Sequence, residues 1–416
     1  MDKLQVKKVI FLSIICNTLL WYDYMLFGSL ISIISNTFFP NNDYYVSLIA
    51  ALGVFAAGFL MRPLGAIIFG YIGDKYGRRI ALLFSIILMS ISSITIAIIP
   101  GYQKVGILAP ILVTILRLLQ GISLGGEAGN ATFLIEHASG GKRGFFGSIE
   151  VLSAIIGSAM SLAAILICQK ISNFDSWGWR LPFAFGLFIG LVSIYLRYIL
   201  SESPAYKISK KHDKLSKSPF MELIKCYKKP VLIAVGIDIV ENASLYMFLV
   251  FFKIFIEGVA KLNNNFLYTI EIMSQVSLAI LTLLFAMLSD VVGRKKVMIP
   301  AFITFTIISI PTLFMLSSSN NLIVTVAYFI FMVPIAASLG PVSATMCELF
   351  PTRVRYCGMS LSRNIAAGFF GGLGPFICTW LMKQIKIGPS FYMIFCALIG
   401  LIAILQIKDK DLKVDF

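Results

Sequence analysis

Apolar and polar residues are arranged along this chain in long blocks, not at the short periods of a water-soluble fold. A helix needs about 20 mostly apolar residues to cross a bilayer. The blocks predict twelve such spans, at 9–35, 45–72, 80–99, 107–134, 144–168, 181–200, 230–256, 266–288, 297–317, 321–346, 356–382 and 388–406. Each must be a helix, because an open strand leaves its backbone groups unpaired in lipid. The expected fold is therefore an all-α membrane protein. The only long polar stretch, residues 201–229, divides the spans six and six.

Between the second and third spans lies Gly70-Tyr71-Ile72-Gly73-Asp74-Lys75-Tyr76-Gly77-Arg78-Arg79. A second copy, Ser289-Asp290-Val291-Val292-Gly293-Arg294-Lys295-Lys296, follows 216 residues later. Such a repeat predicts two six-helix halves related by a pseudo-two-fold axis, with the substrate path at their seam. The expected units are 1–200, a cytoplasmic linker at 201–229, and 230–416. The glycines permit a tight turn, and an acid–arginine pair there can hold two helices together on one side of the membrane. Asp74 and Arg78, with Asp290 and Arg294, are the candidate gate residues. A merely topogenic basic turn explains Arg78 and Arg79 but not the glycines or the acid.

Composition agrees: 58% of residues are hydrophobic and 13% charged, against about 25% charged in soluble domains. A net charge of +15 would suggest nucleic acid in a soluble chain. Here about 24 of the 35 Lys and Arg fall in every second loop, the positive-inside pattern, which predicts cytoplasmic termini. No basic-aromatic module for nucleic acid is present. The lysine-rich segment at 201–229 reads as a solvated linker, or alternatively as a lipid-sensing basic patch. Seven scattered Cys, none in a CxxC pair, and two distant His (His137, His212) support no metal site. With no P-loop or catalytic motif either, neither an enzyme nor a cofactor is expected. The N-terminus lacks a cleavage site and reads as a retained first span.

Charges inside the spans point to chemistry, since an ionised group at mid-bilayer costs about 2.5–3.5 kcal/mol or more. Asp23, within Asn17-Thr18-Leu19-Leu20-Trp21-Tyr22-Asp23-Tyr24, and Arg117 in the fourth span fall at matching depth. They can neutralise each other, and protonating the acid would free the arginine for an anionic group. A permanent structural ion pair is the alternative. Arg117 opens the stripe Gly121, Gly125, Gly129, and similar small-residue stripes occur at Ser153, Gly157, Ser161 and at Gly368, Gly372. Such stripes let helix backbones touch; they serve static packing or the sliding faces of a transporter. Glu127 reads as a second acid in the path or an inner-gate partner. In the seventh span Asp238, Glu241, Asn242 and Tyr246 share one face, as in a cavity wall or a buried polar network. Glu150, Arg62 and Arg363 are placed nearer the cytoplasmic ends, where snorkelling or gate salt bridges explain them.

Taken together, Gly73-Asp74…Gly77-Arg78-Arg79 and Arg117-Leu118-Leu119-Gln120-Gly121 resemble the signatures of the major facilitator superfamily. Trp21-Tyr22-Asp23-Tyr24, Phe38-Phe39-Pro40, Arg62-Pro63-Leu64-Gly65, Gly125-Gly126-Glu127, Trp177-Gly178-Trp179-Arg180-Leu181-Pro182, Glu202-Ser203-Pro204 and Glu348-Leu349-Phe350-Pro351-Thr352-Arg353 resemble its metabolite:proton symporter branch. That branch includes proline/betaine, 2-oxoglutarate, citrate and shikimate carriers. The resemblance implies Asp23, Arg117 and Glu127 in proton coupling and Asp74 and Arg78 in the gate. Two departures stand out: Leu20 replaces the acid usual before Trp21, and the C-terminal coiled coil of osmosensing betaine carriers is missing.

The expectation is a monomeric inner-membrane transporter that imports a small polar solute with protons by alternating access. Buried acids and bases together favour a zwitterion such as proline or glycine betaine. The candidate binding residues are Asn17, Trp21, Tyr24, Arg117, Glu241, Asn242 and Tyr246. A di- or tricarboxylate substrate is the rival, and an uncoupled facilitator the rival of another class.

Overall fold

The computed structural model describes residues 3–76, 78–126, 131, 134–135, 141–171, 173–199, 219–260 and 262–407. Within helices it leaves some side chains undescribed, including those of Asp74 and Arg78. The described residues are helical almost throughout and trace twelve spans. The first is Lys3–Ser29 followed by Ile31–Phe38, and the second Tyr44–Leu60 followed by Arg62–Tyr76. The third to sixth are Arg78–Ile98, Leu108–Leu124, Arg143–Cys168 and Arg180–Ile199. The seventh runs from Lys228 through a π-helical turn at Met247–Phe251 to Val259. The eighth to tenth are Asn264–Val292, Arg294–Leu316 and Asn321–Leu349. The eleventh is Thr352–Ala366, a π turn at Ala367–Gly372, and Leu373–Gln384; the twelfth is Gly388–Leu405. The described end of the expected linker, Pro219–Cys226, is itself a helix.

Local chemistry sets several starts. Asp43, Asn263 and Asn320 each cap a span by accepting from the backbone N–H two residues on, which satisfies a donor the helix leaves orphaned. Prolines inside the tenth span are accommodated, with the Thr345 hydroxyl donating to the Pro341 carbonyl at 2.8 Å.

Large apolar side chains such as Leu232, Phe188, Ile307 and Val291 are exposed. Around a bundle of this hydropathy they form the surface facing acyl chains.

The small-residue stripes resolve into two kinds. A Cβ at Gly121 would come 1.7 Å from the Gly58 carbonyl oxygen, and one at Gly125 would come 2.3 Å from that of Arg62. One at Gly157 would come 2.2 Å from that of Thr18. These stripes weld the second span to the fourth, and the first to the fifth, inside one half. Gly372 differs, since its Cβ would meet Phe59 Cβ of the other half at 2.2 Å. Of the stripes, the eleventh span's is the one on the seam.

Candidate functional site

A small cleft of about 50 Å³ lies between the halves. Trp21, Arg62 and Glu150 approach from the N-terminal half; Glu241, Asn242, Tyr246 and Arg363 approach from the other. Two polar links cross the seam. Arg363 donates through Nη1 to Glu150 Oε2 at 3.0 Å and through Nη2 to Ser343 Oγ at 2.8 Å. Arg62 Nε donates to Asn364 Oδ1 at 3.1 Å, with its guanidinium 5.9 Å from the Trp21 ring centroid. One wall therefore carries positive charge.

The other wall is acidic. Glu241 is almost buried, and its Oε2 accepts no hydrogen bond among the described residues. Asp238 lies beside it, fully buried and within side-chain hydrogen-bonding reach of the Glu241 carboxyl. Two adjacent carboxyls in a poor dielectric cannot both ionise unless a cation stands next to them. Trp21 and Tyr246 add aromatic rings able to pack against such a cation.

The sequence-predicted residues divide accordingly. Trp21, Glu241, Asn242 and Tyr246 line the cleft; Asn17, Tyr24 and Arg117 do not. Asn17 Nδ2 donates to Ser153 Oγ at 2.7 Å, joining the first and fifth spans behind the wall. Arg62, Glu150 and Arg363, read from the sequence as snorkelling or gate residues near the cytoplasmic ends, stand in the cleft itself. Their signal was present in the sequence as charge within an apolar span, and Arg363 and Glu150 do form a salt bridge between the halves.

Asp23 and Arg117 are both buried, but among the described residues neither makes an ion pair. The direct contact expected from their matching depth is corrected to an indirect one. Arg117 lies 3.9 Å from the Tyr24 ring centroid and 4.8 Å from that of Phe55. Its Nη1 donates to the Tyr24 carbonyl at 3.2 Å and to Gln120 Oε1 at 2.9 Å. Gln120 Nε2 donates to Ser93 Oγ at 3.0 Å, and the Ser93 hydroxyl stands beside Asp23. Asp23 itself turns away from the cleft, toward Ser90 and Gly190, and a Cβ on Gly186 would strike its Oδ1. Neighbouring residues of a helix point about 100° apart, so Tyr24 can hold the arginine while Asp23 faces its own half. Glu127 lies outside the described residues.

At the end carrying both chain termini, Asp290 bridges the halves. Its Oδ1 accepts from Gly144 N–H at 2.8 Å and its Oδ2 from Phe145 N–H at 3.0 Å. These are orphan donors in the first turn of the fifth span, so an acid from one half caps a helix of the other. Arg294 holds that acid at 2.7 Å and donates to Glu348 at 3.2 Å, while Arg143 of the opposite half lies 4.0 Å from Glu348. Gly293, at φ +102°, makes the turn that lets Asp290 and Arg294 converge. The side chains of Asp74 and Arg78, the other copy, lie outside the described residues. At the opposite end Lys253, Glu257 and Glu271 form a buried or nearly buried set that the sequence patterning did not single out.

A twelve-helix fold with a bipolar cleft on its seam, closed by contacts at both ends, is the architecture of a secondary transporter. The family model for sugar (and other) transporters matches residues 9–220 and 209–408, and the chain belongs to that family, within the major facilitator superfamily. It is 32% identical to the glycine betaine/proline/ectoine/pipecolic acid transporter OusA of Dickeya dadantii, over 99% of this chain and 85% of the relative. It is 30% identical to the proline/betaine transporter of Escherichia coli K12, over 98% of this chain and 84% of that one. A crystal structure of a D-xylose–proton symporter shares the fold, with a TM-score of 0.77 at 17% identity, covering 99% of this chain and 100% of the other. The chain is a multi-pass membrane transporter, not an enzyme.

Proposed function

We propose that the protein is a proton-coupled symporter importing a small zwitterion, of which proline and glycine betaine are the leading candidates, across the bacterial inner membrane. One observation carries the substrate class: the cleft holds Glu241, backed by the buried Asp238, together with the Arg62 guanidinium and the Arg363–Glu150 pair. A zwitterion placed between them meets charge of the opposite sign at each end. The solutes for which the relatives are named include the same ones. A dicarboxylate would have to set one of its carboxylates against Glu241.

In this reading two units, 1–200 and 230–416, rock about the cleft as a monomer, joined by the linker 201–229. Both termini are cytoplasmic. Asp290–Arg294 and Asp74–Arg78 close the cytoplasmic end. Asp23, Arg117 and Glu127 carry coupling. Asp23 receives the proton, and the change reaches Arg117 through Ser93 and Gln120, not through an ion pair. Trp21, Asn242 and Tyr246 bind substrate directly with Glu241, while Asn17, Tyr24 and Arg117 hold the wall behind it.

Uptake of labelled proline and 2-oxoglutarate, with and without an imposed pH gradient, tests the proposal. Proline accumulation that collapses with a protonophore is expected. Accumulation of 2-oxoglutarate alone would remove the zwitterion, and indifference to the protonophore would remove the coupling.

A further inference from the structure

At the end opposite the chain termini, the first span breaks at Leu30, its two parts bent by 60°. The break leaves the Ser29 carbonyl, at the close of Lys3–Ser29, without its onward helical partner. Lys253 of the seventh span takes it up from the other half: Nζ donates to Ser29 O at 2.9 Å. A cation on the C-terminal carbonyl of a helix is favourably placed. Glu257, 3.9 Å from the same ammonium, accepts from Ser32 Oγ at 2.8 Å, again across the seam. Lys253 and Glu257 thus form a latch between the halves, nearly all of it out of water.

Glu271 of the eighth span stands within electrostatic reach of both but takes no part in the latch. It is 2% exposed, and both its carboxylate oxygens are without a hydrogen bond. The other groups around it are equally specific. Tyr268 carries Lys253 3.8 Å from its ring centroid, and the buried Tyr328 hydroxyl of the tenth span has no hydrogen-bond partner. The fifth span's only charged side chains, Arg143 and Glu150, and the ninth span's, Arg294 to Lys296, belong to the other end. Lys253 balances Glu257, so an ionised Glu271 would be a surplus buried charge with no donor, which is strongly disfavoured. Released from Ser29, the Lys253 ammonium has, besides Glu257, Glu271 as an anionic neighbour among the described residues.

We propose that Glu271 is a second proton-binding carboxyl of the transport cycle, and that its protonation state decides whether Lys253 latches this end. With Glu271 ionised, Lys253 pairs with it and the halves part. A proton from the outer medium adds to the carboxylate, Lys253 stays an ammonium and turns to Ser29 O, and the end closes behind the substrate. Closure thus takes up one proton, as symport requires. The inference rests on the symport reading.

The test uses the full-length chain with Asp43→Cys and Lys383→Cys carrying spin labels, after replacement of the seven native cysteines. These two exposed residues face each other across the same end, 3.1 Å apart. Between about pH 5 and about pH 9, a range that spans buried carboxyls, the closed-to-open ratio should fall by roughly tenfold or more, equivalent to about 1.4 kcal/mol. In Glu271→Gln the closed form should persist at every pH. In Lys253→Met the open form should persist, which keeps the proposal testable if the glutamine variant does not fold. A Glu271→Gln protein that follows pH like its parent, or a Lys253→Met protein that closes normally, overturns the proposal. So does sodium restoring closure at alkaline pH, which would make the occupant a metal ion. Protonophore-insensitive uptake alongside an intact pH response would sink the symport reading and leave the latch standing.

Discussion

The first and seventh spans are copies placed 216 residues apart, and they share a break. The first bends at Leu30, and the same offset brings that position to Tyr246, where the seventh enters its π turn at Met247. Interruptions at corresponding places in two halves mark a transport site. Their acids are not in register, however. Asp23 aligns with Ile239, while Glu241 aligns with Met25. A shift of two residues turns a helical side chain through about 200°. Asp23 therefore faces its own half, beside Ser93 and Gly190, and Glu241 faces the cleft. Duplication supplied one scaffold twice. The displaced acids set it in two ways, with one carboxyl turned into its own half and the other facing the cleft.

That division can be broken at its strongest point by Glu241→Gln. It removes a charge facing a substrate cation, so apparent affinity for proline in uptake should fall on the order of 100-fold, the scale of a lost charge-assisted contact of about 1.5–3 kcal/mol. Exchange through any residual binding should remain coupled. Asp23→Asn should do the converse. Accumulation should drop by roughly tenfold or more once proton and solute flux separate, while counterflow exchange of labelled proline stays near its parental rate. If both variants lost affinity and coupling together, the distinction between the two spans would be wrong.

The ends sharpen the comparison with smaller effects. Asp290→Asn keeps the side chain's shape but leaves one acceptor for the two N–H groups of Gly144 and Phe145 and removes the charge, a loss of about 1 kcal/mol on the scale of helix capping. A cysteine placed on the terminal side of the cleft should then react with a polar thiol reagent a few-fold faster. Asp43→Asn sits at the bottom of the scale, because the Asp43–Lys383 pair is exposed and such pairs are screened. Transport by that variant should match the parent. The Lys383 ammonium, with the Tyr45 N–H, holds the Asp43 carboxyl below its ordinary range. The pair is present above the unfolded value and is lost as pH falls through the lowered one, below about pH 4. Any effect of Asp43→Asn should therefore vanish in acid.

Much of the fold was legible because lipid is a harsh solvent. Twelve apolar blocks have few other structures available to them, and the repeated Gly-Asp-Arg loop located the seam. Within the site, Glu241, Asn242 and Tyr246 were legible as polar groups sharing one helical face, and Trp21 as their neighbour in the cleft was a residue of the Asp23 segment. Asp23 and Arg117 were legible as buried charges but not as groups linked through Gln120 and Ser93, because matching depth fixes height along the membrane and not direction around a helix. Lys253, Glu257 and Glu271 were not legible, because each looks like loop-edge charge until the seventh and eighth spans are packed together.

The chain by itself determined what must be helix, what must be hidden from lipid and where one half repeats the other, since those follow from transfer energies that each residue carries alone. Only the tertiary structure decided which buried charges meet. Gly58 against Gly121, and Phe59 against Gly372, set the helices' rotation and spacing. Rotation then turns Asp23 inward, Glu241 toward the cleft and Lys253 onto a carbonyl of the other half. Electrostatic pairing falls off over a few ångströms, and a few ångströms is what packing, not sequence spacing, controls.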